Sequence, residues 1–248
     1  MREARARAVQ EVERSRVFAE RASARLKTLF PKWRLRPIAL ADSPSWGIVK
    51  QATASKADLI VVGSHGRSGF GRFFLGSVAH KVASEAYCSV QIPRPSEPLG
   101  KSGLRILLAV DGSEDSQAAV RAVASRRWPV ATEFRVIAAV DPKLQTAAAW
   151  PAVAAYVWTQ NRRPGGDDWV GAMVEYSAQK LQDAGLKVQT DIFDGDPKQV
   201  LLREAERWEA ECIFLGARGL HHNQRIHLGT CASAVATRAH CSVEIVRS

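Results

Sequence analysis

The residues best suited to chemistry lie in a short stretch, "GSHGRSGFGRFFLGS", residues 63–77, between the apolar run "ADLIVV" and "VAHKVASEA", which reads as a helix. Glycines let backbone N–H groups face a ligand with no side chain in the way. Gly76 and Ser77 open the helix, so its positive dipole end and free amides face the same place. Ser77 adds a hydroxyl donor, and Arg67 and Arg72 add positive charge. Such a loop suits phosphate. The same glycines also suit tight packing turns that bind nothing.

The spacing is G-x2-G-x9-G-[ST], and it occurs twice. Shifted by 153 residues, Pro44–Arg94 falls on Pro197–Arg247 without a gap, with 18 of 51 positions identical. Gly63, Gly66 and Gly76 fall on Gly216, Gly219 and Gly229; Ser77 and Val78 fall on Thr230 and Cys231. "CSVQIPR" falls on "CSVEIVR". The chain is a duplicated domain.

The second copy carries the fuller set of elements that must position such a loop. "LRILLAV" (104–110) is apolar enough for a strand buried on both faces. Ser113 caps the helix that follows, with Glu114 and Asp115 in its first turn. "EFRVIAAV" is a strand, "WVGAMVEYSAQKLQDA" a helix, "LKVQTDIF" a strand and "KQVLLREAERWEA" a helix. "ECIFLGA", the glycine loop, "TCASAVATRA" and "CSVEIV" complete the unit. Strands alternating with helices of about ten residues or more mean right-handed crossovers and a parallel sheet covered on both faces. The loop leaves the carboxyl end of a parallel strand, where ligands bind in open α/β sheets.

The first copy shows only the later part: helix 1–29, strand 33–40, helix 46–55, strand 58–62, helix 77–86 and strand 88–92. A linker, "PRPSEPLGKSG", separates domains at 1–98 and 104–248. The counterpart of residues 104–153 is missing from the first copy. Either the gene product starts upstream of Met1, which the intact lengths of the surviving segments favour, or strand 33–40 moves beside strand 58–62 in a reduced sheet.

The net charge of +10 comes largely from residues 1–36, with eleven Lys/Arg against four Asp/Glu. Val9, Val12, Ala19, Ala22, Leu26 and Leu29 recur there at helical spacing, so the arginines fall on the solvated face of an amphipathic helix. Nucleic acid is therefore a poor candidate partner. The longest apolar run is broken by a proline and is too short to span a bilayer. Four cysteines without CxxC spacing point to buried thiols in a reducing, cytoplasmic setting. His221, His222 and His227 read as exposed loop residues rather than metal ligands, because no carboxylate or cysteine with ligand spacing joins them.

With both loops in view, the chain resembles a tandem universal stress protein of the adenine-nucleotide alpha-hydrolase-like group, over essentially its whole length. The resemblance implies two Rossmann-like, doubly wound repeats of strand order 3-2-1-4-5, the first lacking its first two strands. It implies ATP across the glycine loop and an aspartate ending the first strand beside the adenosine. "AVDGS" matches that segment, giving Ala109, Val110 and Asp111, and "AAVD" gives Ala139 as the backbone position that reads adenine. Gly216, Gly219, Gly229, Thr230 and Cys231 match the phosphate positions, with Gly63, Gly66, Gly76, Ser77 and Val78 as their first-copy equivalents. Asp111 also suits a plain helix-capping turn. The second loop, "LHHNQRIHL", lacks the interior glycines of the first. The resemblance further implies antiparallel pairing of the fifth strands, Ser89–Ile92 and Ser242–Ile245, within the chain or between copies in a homodimer.

No Ser/His/Asp set, no base positioned by motif and no SGGxDS loop occurs, so a binding protein is expected rather than an enzyme. Three functions stay open. The first is a stress-response sensor that binds ATP or a related adenine nucleotide. The second is a nucleotide-free, dimerising interaction module. The third is a slow ATPase in which Asp111 helps to hold Mg2+.

Overall fold

A computed structural model describes residues 2–64, 75–94, 103–141, 169–220 and 228–248, with side chains from Val9 onward. The chain forms two compact units, 1–51 and 52–248.

In the first unit, α1 (Arg2–Leu29) is the helix that the apolar spacing predicts. Its arginines form exposed pairs with glutamates one turn away, Arg14 with Glu11 and Arg16 with Glu13. Beyond it the chain turns back: Phe30 stacks on Trp33 with ring centres 4.3 Å apart, and the Lys27 ammonium donates to the Trp33 carbonyl. Residues 33–40 form no strand, contrary to the sequence reading, and so the reduced-sheet alternative does not form. The reason is physical. In a 3-2-1-4-5 order the third strand needs the second as its ladder partner, and the first unit contains no strand among its described residues. For the same reason Val9 and Leu29 stay 65% and 62% exposed. In the second unit the corresponding helix buries Met173, Val174 and Leu181. Helix α2 (Pro44–Ser55) follows, with Asp42 accepting from the Ser43 amide and from Lys50.

The second unit is built on one seven-stranded sheet. In chain order its elements are β1 (Leu59–Val61), α3 (Ser77–Glu85), β2 (Ser89–Ile92), β3 (Arg105–Ala109), α4 (Glu114–Ala124), β4 (Glu133–Val140), α5 (Trp169–Asp183), β5 (Val188–Asp194), α6 (Pro197–Arg207), β6 (Cys212–Gly216), α7 (Thr230–Arg238) and β7 (Ser242–Val246). The strand order is β1-β2-β7-β6-β3-β4-β5. The stretch β5-β4-β3-β6-β7 is the expected 3-2-1-4-5 order of a complete doubly wound repeat, and its strands are parallel.

Two-residue alternation divides the core between the two faces. Ile106, Leu108, Phe134, Val136 and Phe214 pack with α4 and α5. Leu107, Ile137 and Ile213, also fully buried, point to the opposite face, where α6 packs against α7. Trp169 also packs against the first of these cores.

The fifth strands of the two repeats pair antiparallel within the chain. Val90 faces Ile245, Gln91 faces Glu244 and Ile92 faces Val243. Gln91 and Glu244 are repeat equivalents, so a pseudo-two-fold axis passes between them. Glu244 is fully buried and answered by the Arg126 guanidinium, which donates to both of its oxygens. Gln91 is neutral and needs no such partner.

Candidate functional site

The sheet reverses its winding between β3 and β6, and that crevice is where doubly wound folds bind ligands. Asp111 follows β3 and Gly219 follows β6. The two meet there: a Cβ built on Gly219 would come within 2.8 Å of Asp111 Oδ2. The other carboxylate oxygen of Asp111 is held from behind. Asp111 Oδ1 accepts from the Ser113 amide at 3.0 Å and from the Ser113 hydroxyl at 2.6 Å. That hydroxyl in turn accepts from the Ser116 amide, capping α4 as the sequence predicts. Asp111 is thus a turn residue whose Oδ1 orders α4 and whose Oδ2 faces the glycine loop.

The glycines divide by what they touch. A Cβ on Gly216 would lie 2.7 Å from the Ser116 amide nitrogen and 2.9 Å from Asp115 Cβ, so this position is glycine because α4 packs on it. Gly229 precedes α7 with φ −68° and ψ 156°, and no side chain among the described residues caps the helix. Its own amide donates to the Ala217 carbonyl at 2.7 Å, which closes the loop. Thr230 is exposed and Cys231 half-buried in the first turn of α7.

The first-copy loop is closed by the equivalent bond, Gly76 amide to Ser64 carbonyl at 2.8 Å, and α3 likewise begins with no side-chain cap among the described residues. Gly63 lies two residues beyond β1, and Ser77 and Val78 open α3. Gly66, Arg67 and Arg72 lie outside the described residues, as do His221, His222 and His227.

Ala109 and Val110 lead from β3 into the crevice, with the Val110 amide donating to the Ile137 carbonyl. Ala139 lies on neighbouring β4, opposite Phe193. The next turn is tied to the same edge: Gly195, at φ +131°, donates its amide to the Val140 carbonyl at 2.9 Å. Asp196 then caps α6 by accepting from the Lys198 amide at 2.9 Å.

Burial pushes the Cys231 thiol pKa up to about 12, and the negative charges of Asp111 and Asp196 push the same way against Lys198. The start of α7 therefore lies in the field of two carboxylates and one ammonium. Cys212 and Cys241 are buried, Cys88 is half-buried, and all four cysteines are free thiols.

Sequence reasoning missed the residues that hold this edge in place. Asp115, only 2% exposed, accepts from the Arg218 guanidinium, the Arg218 amide and the Ser248 amide. Burial raises its carboxyl pKa, but Arg218 and Ser248 outweigh burial and hold the value below the ordinary one. From sequence it looks like a helix-dipole charge, because its partner lies about a hundred positions away. Lys198 and Asp196 were missed too. The only local signal was the "DGDPK" turn.

No helix among the described residues is long and apolar enough to cross a membrane, and those residues hold no cluster of three His, Cys, Asp or Glu suited to a metal.

A solved structure shares this fold, and a family model matches both repeats. The family model for the universal stress protein family matches residues 3–94 and 104–247. A universal stress protein of Methanocaldococcus jannaschii is 36% identical over 170 residues, 67% of this chain and 93% of the relative. One from Mycobacterium tuberculosis is 30% identical over 146 residues, 57% of this chain and 47% of the relative. Among solved structures, a universal stress protein from Archaeoglobus fulgidus superposes with a TM-score of 0.65 at 20% identity, covering 95% of this chain and 76% of its own. With both repeats matched by the family model, the chain belongs to the universal stress protein family.

Proposed function

We propose that the second repeat binds an adenine nucleotide, ATP or a close relative, and acts as a cytoplasmic stress-response sensor without fast turnover. The observation that carries this reading is the approach of Gly219 to Asp111 Oδ2 across the switch point, beside a helix start whose N-cap is glycine and that no side chain among the described residues caps. A cradle that a single Cβ would fill is what close backbone approach to a phosphate requires.

In this reading Asp111 meets the ribose side of the ligand, with Ala109, Val110 and Ala139 lining the adenosine end. Gly219, Gly229, Thr230 and Cys231 line the phosphate end, and Gly216 supports them by letting α4 approach. In the alternative slow-ATPase reading Asp111 would instead help to hold Mg2+. The first copy, over 1–98, has a phosphate-type loop at Gly63, Gly66, Gly76, Ser77 and Val78 but no strand-1 aspartate; the complete site belongs to 104–248. Self-association of whole chains is part of the same proposal.

Native mass spectrometry of protein purified without added nucleotide tests it. Retention of an adenine nucleotide by the native chain, and its loss from Asp111→Ala, are expected. A native chain that carries no nucleotide and takes up none from millimolar ATP would favour the interaction-module reading.

A further inference from the structure

Helices α6 and α7 follow two parallel strands, β5 and β6, and pack against each other. Their first turns therefore stand side by side at the edge that holds Asp111. They are finished differently. The start of α6 is closed by its own Asp196, whereas that of α7 has a glycine N-cap and no side-chain cap among the described residues. Lys198 sits in the first turn of α6, half-buried, and its ammonium makes no ion pair among the described residues. Arg218, the other cation described near this edge, is committed to Asp115 at 2.8 Å.

The charge balance gives Lys198 its importance. Asp111 and Asp196 both act on the start of α7 with the same sign as a phosphate. An adenosine with one phosphate places little charge there. A triphosphate brings several negative charges against two carboxylates, and helix amides alone are a weak answer. Lys198 is held where it can respond, because Gly195 is bonded to the end of β4 and Asp196 holds the Lys198 amide.

Resting on the nucleotide reading above, we propose that Lys198 is the residue that distinguishes a polyphosphate from a monophosphate at this site. The first repeat has the uncharged Ser45 at the equivalent sequence position.

The test is calorimetric titration of the full chain with ATP, AMP and inorganic tripolyphosphate, for the native protein, Lys198→Ala and Lys198→Arg. Lys198→Ala is expected to weaken ATP and tripolyphosphate by about tenfold, the loss of one charge-assisted contact, and to change AMP less than about twofold. Lys198→Arg keeps the preference. Unchanged ATP affinity in Lys198→Ala, or equal losses for ATP and AMP, overturns the proposal. Tripolyphosphate binding that depends on Lys198, without binding of any adenine nucleotide, upholds Lys198 and refutes the nucleotide reading. A native chain that binds none of the three probes refutes both.

Discussion

Arg94 and Arg247 stand 153 positions apart in sequence, and each caps a helix of the other's repeat. The Arg94 guanidinium donates to the carbonyls of Ala236 and Thr237 at the end of α7. The Arg247 guanidinium donates to the carbonyl of Ala83, the repeat equivalent of Ala236, near the end of α3. Their amides donate to Ser242 Oγ and Ser89 Oγ, again an equivalent pair. The antiparallel β2–β7 pairing is thus fastened by two copies of one clasp, each placing a cation at the negative end of a helix.

Arg94→Met and Arg247→Met should each destabilise the second unit by about 2 kcal/mol, the usual worth of charge-assisted bonds to buried carbonyls. The urea midpoint measures this. Because the two clasps share no atoms, the double variant should show a nearly additive loss. A loss confined to one of the two positions would contradict the symmetry.

The pseudo-axis itself supplies a second prediction. Arg126→Met strands the Glu244 carboxylate in a fully buried position and should cost about 3 kcal/mol, toward the low end for such breaks because Arg126 is partly exposed. Adding Glu244→Gln should recover most of that loss, since glutamine is what the first repeat carries at this position, Gln91. A double variant no more stable than Arg126→Met alone, by urea unfolding, would count against this view of the axis.

Much of the second repeat is legible in its amino-acid sequence. β4 spans the eight residues that the sequence marks, and the other strands of that repeat differ by one or two at their ends, because the runs are largely apolar or, in β5, alternate, and Gly, Asp or a helix cap bounds them. Residues 33–40 were misread because their pattern is strand-like while strand formation depends on a neighbour, which no local pattern reports. The repeat was visible in "CSVQIPR" and "CSVEIVR", but the crossing of Arg94 and Arg247 was not, because it is a property of the pairing. Likewise Gly216 and Gly219 look alike in the G-x2-G motif. Only the fold shows that one meets the backbone of α4 and the other a carboxylate oxygen.

That difference is measurable. Gly216→Ala puts a Cβ against backbone atoms that cannot retreat without moving α4, and should cost about 2–3 kcal/mol, as overpacking typically does. Gly219→Ala meets only the end of the Asp111 side chain and should leave the urea midpoint almost unchanged while weakening ATP binding. Equal destabilisation by both would show that Gly219 is a packing glycine too.

Asp115 ties stability to acid. Its carboxyl pKa is lower folded than unfolded, so between the two values the unfolded chain binds more protons and stability rises with pH. The contribution is complete above the ordinary carboxylate value, about 4, and disappears as pH falls through the lower folded value. Asp115→Asn should therefore be less stable than the native chain at pH 7 and show a shallower fall in urea midpoint between about pH 4 and pH 2. Parallel curves would mean that Arg218 and Ser248 do not hold the charged form.

Calorimetric titration of ATP into the full chain carrying Gly219→Val, beside Gly66→Val and the native protein, tests most directly whether the second repeat is the nucleotide site. The valine at 219 drives a branched side chain toward Asp111 Oδ2, where a single Cβ already comes within 2.8 Å. The native chain and Gly66→Val should bind ATP with the same affinity, and Gly219→Val should bind none. Loss of binding in Gly66→Val with full binding in Gly219→Val would place the nucleotide in the first repeat and contradict the assignment.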